Sequence, residues 1–341
     1  MTSHTFNVGT CRIGAGAPVF IIAEIGINHD GDEAACARLI NAAANAGADA
    51  AKLQIVEAGE SYVAGTESHR VFSDRALSMD ALERLMTHAA KRGIILFATP
   101  GDFSSLQKIT DLSMPAIKIS SGLLTNTPLI KQAAATKLPM ILSTGMADLD
   151  EVGIAVATAR DAGARELAVL QCTSIYPTPP AQANLNAMQT LAAALDVPVG
   201  YSDHALGSTA CLAAVALGAT IVEKHITLDK GLAGADHHLS ATPDELVLLV
   251  AEIRNVEAMM GRGDKSPEPE ERDRRNGTHR CLVARQDIAA GETFDIDNLG
   301  LKRPLPGTAG LRADDYERVL GARATRDLKV DEPVAGEDVK S

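Results

Sequence analysis

Ala216-Leu217-Gly218-Ala219-Thr220-Ile221-Val222-Glu223-Lys224-His225 carries, in order, the end of a helix, a glycine, an apolar strand and an ionisable strand end. Gly218 stands where a helix has to turn through a left-handed cap, a conformation that a residue without Cβ adopts at no steric cost. The strand that follows is apolar as far as Val222 and then turns polar. Working outward, Asn45-Ala46-Gly47-Ala48 and Asp161-Ala162-Gly163-Ala164 repeat the junction. The apolar run recurs as Phe20–Ile22 ending at Glu24, Ala50–Ala51 ending at Lys52 and Gln54, and Ile94–Phe97 ending at Thr99. It recurs again as Ala116–Ile117 ending at Lys118 and Ser121, Met140–Leu142 ending at Ser143 and Thr144, and Leu167–Leu170 ending at Gln171 and Thr173. Val197–Val199 ends at Ser202, Asp203 and His204. Such runs suit parallel strands covered on both faces, and amphipathic stretches such as Asp32–Ala46 separate them. Eight repeats predict a (β/α)8 TIM barrel rather than an open doubly wound sheet. Polar strand ends then gather at one rim, which predicts an enzyme.

After a last barrel helix at Pro243–Met260 the composition changes to charged residues broken by Pro and Gly. The reading is a barrel over residues 1–262, a linker over 263–280 and a small β-rich module over 281–341. A module of that size is marginal alone, so docking is expected. A formal net charge of -12 repels polyanions, and aromatics at 3% leave no stacking platform, so nucleic acid is excluded as a partner. No apolar run approaches the roughly 20 residues that span a bilayer, and Met1–Cys11 lacks the order of a secretory signal. The expected location is cytoplasmic, with no membrane contact. The five cysteines are scattered without C-x-x-C spacing, which argues against a disulfide framework or a zinc knuckle. Gly14-Ala15-Gly16-Ala17 does not make a dinucleotide fingerprint. Arg262-Gly263-Asp264 is a chance tripeptide, and the arginines at 272, 274, 275 and 280 read as a solvated linker.

His204 and His225 each fall at the end of consecutive strands, which brings two imidazoles within reach of one ion. Two imidazoles with oxygen ligands suit Mn2+, Mg2+, Co2+ or Zn2+, a Lewis acid able to polarise an aldehyde oxygen. Glu24 and Asp236 are candidate helpers, directly or through water. Lys52, Lys118 and Lys224, interleaved with Thr99, Ser121, Ser143, Thr144 and Ser202, form a ring expected to cradle a phosphate and a carboxylate as a positive focus. Lys118 or Lys224 as a Schiff-base nucleophile is the rival chemistry, and a non-catalytic carbohydrate-binding protein is the rival class.

Taken together, Ile22-Ala23-Glu24-Ile25-Gly26-Ile27-Asn28-His29-Asp30-Gly31, Ala51-Lys52-Leu53-Gln54, Ser143-Thr144-Gly145-Met146, Gln171–Pro179, Gly200–His204 and Glu223–Asp229 strongly resemble the sialic acid synthase family. That family comprises N-acetylneuraminate, legionaminate and pseudaminate synthases. Leu282–Pro304 resembles its C-terminal antifreeze-like (SAF) module, so the likeness covers nearly the whole chain. The resemblance implies a condensation of phosphoenolpyruvate with an open-chain N-acetylated amino sugar, with loss of phosphate by C–O cleavage. It implies His204 and His225 as ligands of a divalent metal, Mn2+ first with Mg2+ or Co2+ as alternatives. Lys52, Thr99, Lys118, Ser121, Ser143 and Ser202 match phosphoenolpyruvate contacts. Ser174 stands at a substrate-binding position where the family often has Asn. Glu24 and Gln54 match polar residues near metal and sugar, and Tyr176 and Asp236 match sugar-side groups. Arg303 matches an arginine delivered by a partner subunit, which implies a domain-swapped homodimer. Leu123 replaces a Glu often found in N-acetylneuraminate synthases, which suggests a 6-deoxy di-acetamido sugar, the legionaminate precursor; N-acetylmannosamine and the pseudaminate precursor are the alternatives.

Overall fold

The computed structural model describes residues 4–234 and 236–340, apart from the side chain of Asn276. Residues 1–3 and 341, the outer ends of the expected barrel and module segments, lie outside the described residues. The chain divides into two compact units, Met1–Gly261 and Arg262–Ser341.

The first unit opens with an antiparallel hairpin, β1 (Thr5–Val8) and β2 (Cys11–Gly14). Eight parallel strands follow: β3 (Phe20–Gly26), β4 (Ala50–Ile55), β5 (Ile95–Pro100), β6 (Ile117–Ile119), β7 (Met140–Ser143), β8 (Leu167–Cys172), β9 (Val199–Asp203) and β10 (Ile221–His225). They close in chain order, with β10 pairing back onto β3. The connecting helices are α1 (Glu33–Ala46), α2 (Ala58–Ser61), α3 (Glu67–Asp74), α4 (Met79–Arg92), α5 (Phe103–Asp111) and α6 (Thr127–Ala135). They continue with α7 (Leu149–Asp161), α8 (Ala187–Leu195), α9 (Thr209–Ala216) and α10 (Pro243–Met260). The TIM barrel expected from the repeated unit is therefore present. Gly47 caps α1 at φ 80°, and Gly163 and Gly218 take φ 103° and 97° beyond α7 and α9, the left-handed turns the three junctions require.

Strand alternation sorts the side chains into two apolar layers. Ile21, Ala23, Leu53, Ile117, Ile119, Val169 and Val222 point outward and pack on helix residues such as Leu39, Leu129 and Leu249. Phe20, Ile22, Phe97, Ile141, Leu170 and Ile221 point inward, where Phe6, Val8 and Ile13 of the hairpin join them. The hairpin thus stops the barrel at the strands' N-terminal ends. Fully burying one such side chain stabilises by about 2 kcal/mol, so these layers can hold the barrel together while the opposite rim carries polar groups.

The second unit pairs β11 (Cys281–Ala284) with β12 (Leu299–Lys302) and β13 (Arg323–Ala324) with β14 (Val339–Lys340), all antiparallel. Leu282, Ile288, Phe294, Leu299, Val319, Leu328 and Val334 form its core, and α12 (Tyr316–Val319) supplies Val319. Buried Asp338 accepts from Arg326 Nε at 2.6 Å and Nη2 at 3.1 Å. The stretch 263–280, expected as a plain linker, contains α11 (Pro269–Thr278). Pro269 starts it at a position that needs no N–H, and Glu270 and Glu271 meet the positive end of its dipole. Among the described residues no helix is long and apolar enough to cross a membrane, and the cysteines are all free. Cys11 is half-buried and the other four are buried.

Candidate active site

The inward positions at the C-terminal ends of the strands are polar and almost fully buried. Lys52, two residues past inward Ala50 on β4, places Nζ 2.5 Å from Glu24 Oε2 on β3 and 3.6 Å from Glu223 Oε2 on β10. It also donates to Thr99 Oγ1 on β5 at 3.2 Å. Lys118 on β6, flanked by outward Ile117 and Ile119, donates to Glu223 Oε1 at 2.9 Å. Ser202 on β9 donates to the same oxygen at 2.8 Å. Gln54 donates to Glu24 Oε1 at 3.2 Å. Buried Ser143 has no hydrogen-bond partner for Oγ among the described residues, so its hydroxyl is free for a ligand.

This arrangement corrects two expectations. Lys224 is not in the ring: it follows Glu223 and precedes His225, so alternation turns it to the outer face, where Nζ lies 2.7 Å from Asp203 Oδ2 and donates to the Ala205 carbonyl. Nor is the cradle a bare positive focus, because Glu24 and Glu223 match the Lys52 and Lys118 charges. Burial works against every ion here. For Glu223 the two ammoniums of Lys118 and Lys52 overcome it and hold the carboxyl well below the usual range. Burial wins at Glu24, whose pKa is raised despite Lys52, making it the carboxylate that takes a proton most readily. Burial also lowers Lys118, while at Lys52 it is outweighed by Glu223 and Glu24, so that ammonium is strengthened.

One step nearer the mouth stand His204, just after β9, and His225, the last residue of β10, with ring centroids 5.3 Å apart. His204 Nδ1 lies 2.8 Å from the Thr173 carbonyl and so carries the proton, leaving Nε2 with its lone pair. His225 Nδ1 is buried without a hydrogen-bond partner among the described residues and lies 3.9 Å from Asp236 Oδ2. Burial, then the neighbouring His204, pushes His225 well below the ordinary histidine value, which favours the neutral ring. Two imidazoles 5.3 Å apart fit a divalent cation whose other ligands are oxygens. No group of three or more His, Cys, Asp or Glu suited to a metal occurs among the described residues. The Tyr176 ring lies over His204 at 4.1 Å between centroids and edge-on to His225 at 6.3 Å.

Ser121 and Ser174 crowd the rim from two loops. Ser121 Oγ accepts from the Gly145 N–H at 3.0 Å and lies 3.5 Å from Cys172 Sγ. A Cβ on Gly145 would come 2.7 Å from Ser121 Oγ and still closer to Ser174 Oγ. Thr144 donates to the Leu170 carbonyl at 3.0 Å, a structural bond, and Leu123 packs against the barrel–helix layer. Arg303 belongs to the second unit, where it is exposed and donates to the Thr278 carbonyl at 3.4 Å; it is not among the groups that the barrel itself assembles. The residue that the sequence reading passed over is Glu223. Its signal was its place two positions before His225, hence on the same inward face.

Residues 39–265 match the model of the NeuB family, and residues 279–340 match that of the SAF domain. The N,N'-diacetyllegionaminic acid synthase of Campylobacter jejuni is 40% identical over 92% of this chain and 97% of its own length. That of Legionella pneumophila is 35% identical over 96% of both chains. The crystal structure of the N-acetylneuraminic acid synthetase of Leptospira borgpetersenii, in complex with citrate, superposes with a TM-score of 0.77 at 36% identity, covering 81% of this chain and 98% of that one. By the length and strength of these matches, the chain belongs to the NeuB family and ends in a SAF domain.

Proposed function

We propose that the chain is a nonulosonic acid synthase. C3 of phosphoenolpyruvate attacks the aldehyde carbon of an open-chain N-acetylated amino sugar, water adds at C2, and phosphate leaves with its bridging oxygen. The products are a nine-carbon 2-keto-3-deoxy acid and inorganic phosphate. The observation that carries the reading is the sealed set of Lys52, Lys118, Thr99, Ser143 and Ser202 beneath the His204–His225 pair, within a family whose relatives make such acids.

Lys52 and Lys118 hold the carboxylate and phosphate as point charges, and the hydroxyls of Thr99, Ser121, Ser143 and Ser202 complete the shell. Ser174 stands beside them. Glu24, with its raised pKa, is placed to give or take the proton that anion binding and water addition call for. His204 and His225 would hold Mn2+, or Mg2+ or Co2+, which when bound polarises the sugar aldehyde. Gln54, Tyr176 and Asp236 line the sugar side, and Arg303 is supplied by the partner in a domain-swapped homodimer. The two legionaminic acid synthases among the relatives support a 6-deoxy di-acetamido sugar over N-acetylmannosamine; the pseudaminate precursor is the alternative within the same chemistry. Because Leu123 packs on the apolar shell, it gives no independent support for that choice.

A second reading rests on Lys118, whose lowered pKa suits a Schiff base. A phosphate-release assay with a panel of N-acetylated amino sugars separates them. The synthase releases phosphate only with both substrates and stops with EDTA. Borohydride inactivation in the presence of sugar, with indifference to EDTA, would assign the aldolase instead.

A further inference from the structure

The loop between β10 and α10 carries Asp236, whose carboxylate is the sole acid within 4 Å of either ring of the His204–His225 pair among the described ion pairs. Nothing in that residue explains why it points there. Its surroundings do. The Asp236 carbonyl accepts from Ser240 Oγ at 2.6 Å and Ser240 N at 3.1 Å. Ser240 Oγ in turn accepts at 3.0 Å from the buried Asn28 amide, which also donates to the Ile226 carbonyl at 2.9 Å. The next residue, His237, is buried at 1% exposure. Its Nδ1 lies 2.7 Å from Thr227 Oγ1, which is 3.0 Å from the Asp229 carbonyl. Its Nε2 lies 3.3 Å from Asp30 Oδ2. Asp30 is fixed by Arg75 Nε at 2.7 Å and by a left-handed backbone at φ 50°.

From this geometry we propose that Asp30 and His237 form a clasp between the β3–α1 and β10–α10 loops that positions the Asp236 carboxylate beside His225. Neither residue faces the Lys52–Lys118 cluster by any bond described, so the clasp acts on the sugar side of the site through Asp236 alone. The inference deepens the reading of the site given above and rests on it for its kinetic arm.

The test uses the full-length protein and Asp30→Gly, which removes the carboxylate at a position where glycine accepts the backbone without strain; His237→Gln is the second variant. We expect kcat/KM for the sugar to fall about ten-fold with less than about a two-fold change in the KM of phosphoenolpyruvate. Introduced together with Asp236→Asn, either change should add almost nothing, since both act through one carboxylate. Hydrogen exchange over residues 229–240 is read in parallel and needs no turnover: faster exchange there, with the barrel strands unchanged, supports the clasp. Additive losses, equal losses for both substrates, or unaltered exchange overturn it. Absence of phosphate release by the unmodified protein would instead sink the synthase reading, leaving the exchange measurement to decide the clasp.

Discussion

Lys118 Nζ donates to Glu223 Oε1 across 2.9 Å at a point where neither side chain reaches solvent. A buried pair of this kind is weak evidence for stability, but removing one partner strands the other charge. Burial already lowers Lys118, and Glu223 is the main group opposing it. Glu223→Gln should therefore lower the lysine's pKa further and raise the KM of phosphoenolpyruvate about ten-fold or more. Steady-state kinetics at fixed sugar check this; an unchanged KM would contradict the role given to the pair.

The imidazoles should bind a divalent cation without any substrate. His204→Ala and His225→Ala should each weaken Mn2+ binding, measured by calorimetry on the resting protein, by about 10-fold or more, as loss of a proposed ligand predicts. Binding that survives both substitutions would place the cation elsewhere.

Gly145 is fitted against two serines. Its replacement by Ala brings a methyl group 2.7 Å from Ser121 Oγ, and overpacking of this sort costs about 1–3 kcal/mol. Because the atoms pushed are Ser121 and Ser174, activity should drop further than the melting temperature does. A variant with normal turnover would show that those hydroxyls do not have to stay where they are.

His29 makes a stability prediction. Burial pushes its pKa from 6.5 down to about 4, and its Nδ1 accepts from the Gly31 N–H at 3.0 Å. Between those two values the unfolded chain binds a proton that the folded one refuses, so stability falls as pH drops from 6.5 to 4 and rises with pH across the same window. The full effect is ~3 kcal/mol. His29→Asn should flatten the melting temperature over that range relative to the unmodified protein; parallel curves would refute it.

The barrel was legible because each strand is announced by an apolar run, and β4, β8 and β10 also by a glycine that ends the helix before them. The hairpin was not read: Thr5–Val8 and Cys11–Gly14 are short, and only Gly9 at φ 56° marks their turn. Helix α11 hid because its charges look like a linker's, and only its end residues distinguish it. Lys224 and Glu223 were confused for a more general reason. Treating Glu223-Lys224-His225 as one polar strand end ignores that neighbours on a strand face opposite ways, so one lysine was counted into the site and one carboxylate out of it. Applying the two-residue period to the polar end, as to the apolar run, recovers both assignments.

The hairpin of Phe6, Val8 and Ile13 has a kinetic consequence. With the interior filled from below by the hairpin and the inward layer, a molecule proposed to rest against Lys52 and Lys118 would have to enter from the histidine-bearing rim, before one resting against those rings. Binding should accordingly be ordered, the small anion first and the sugar second, with the long product departing by the way both came in.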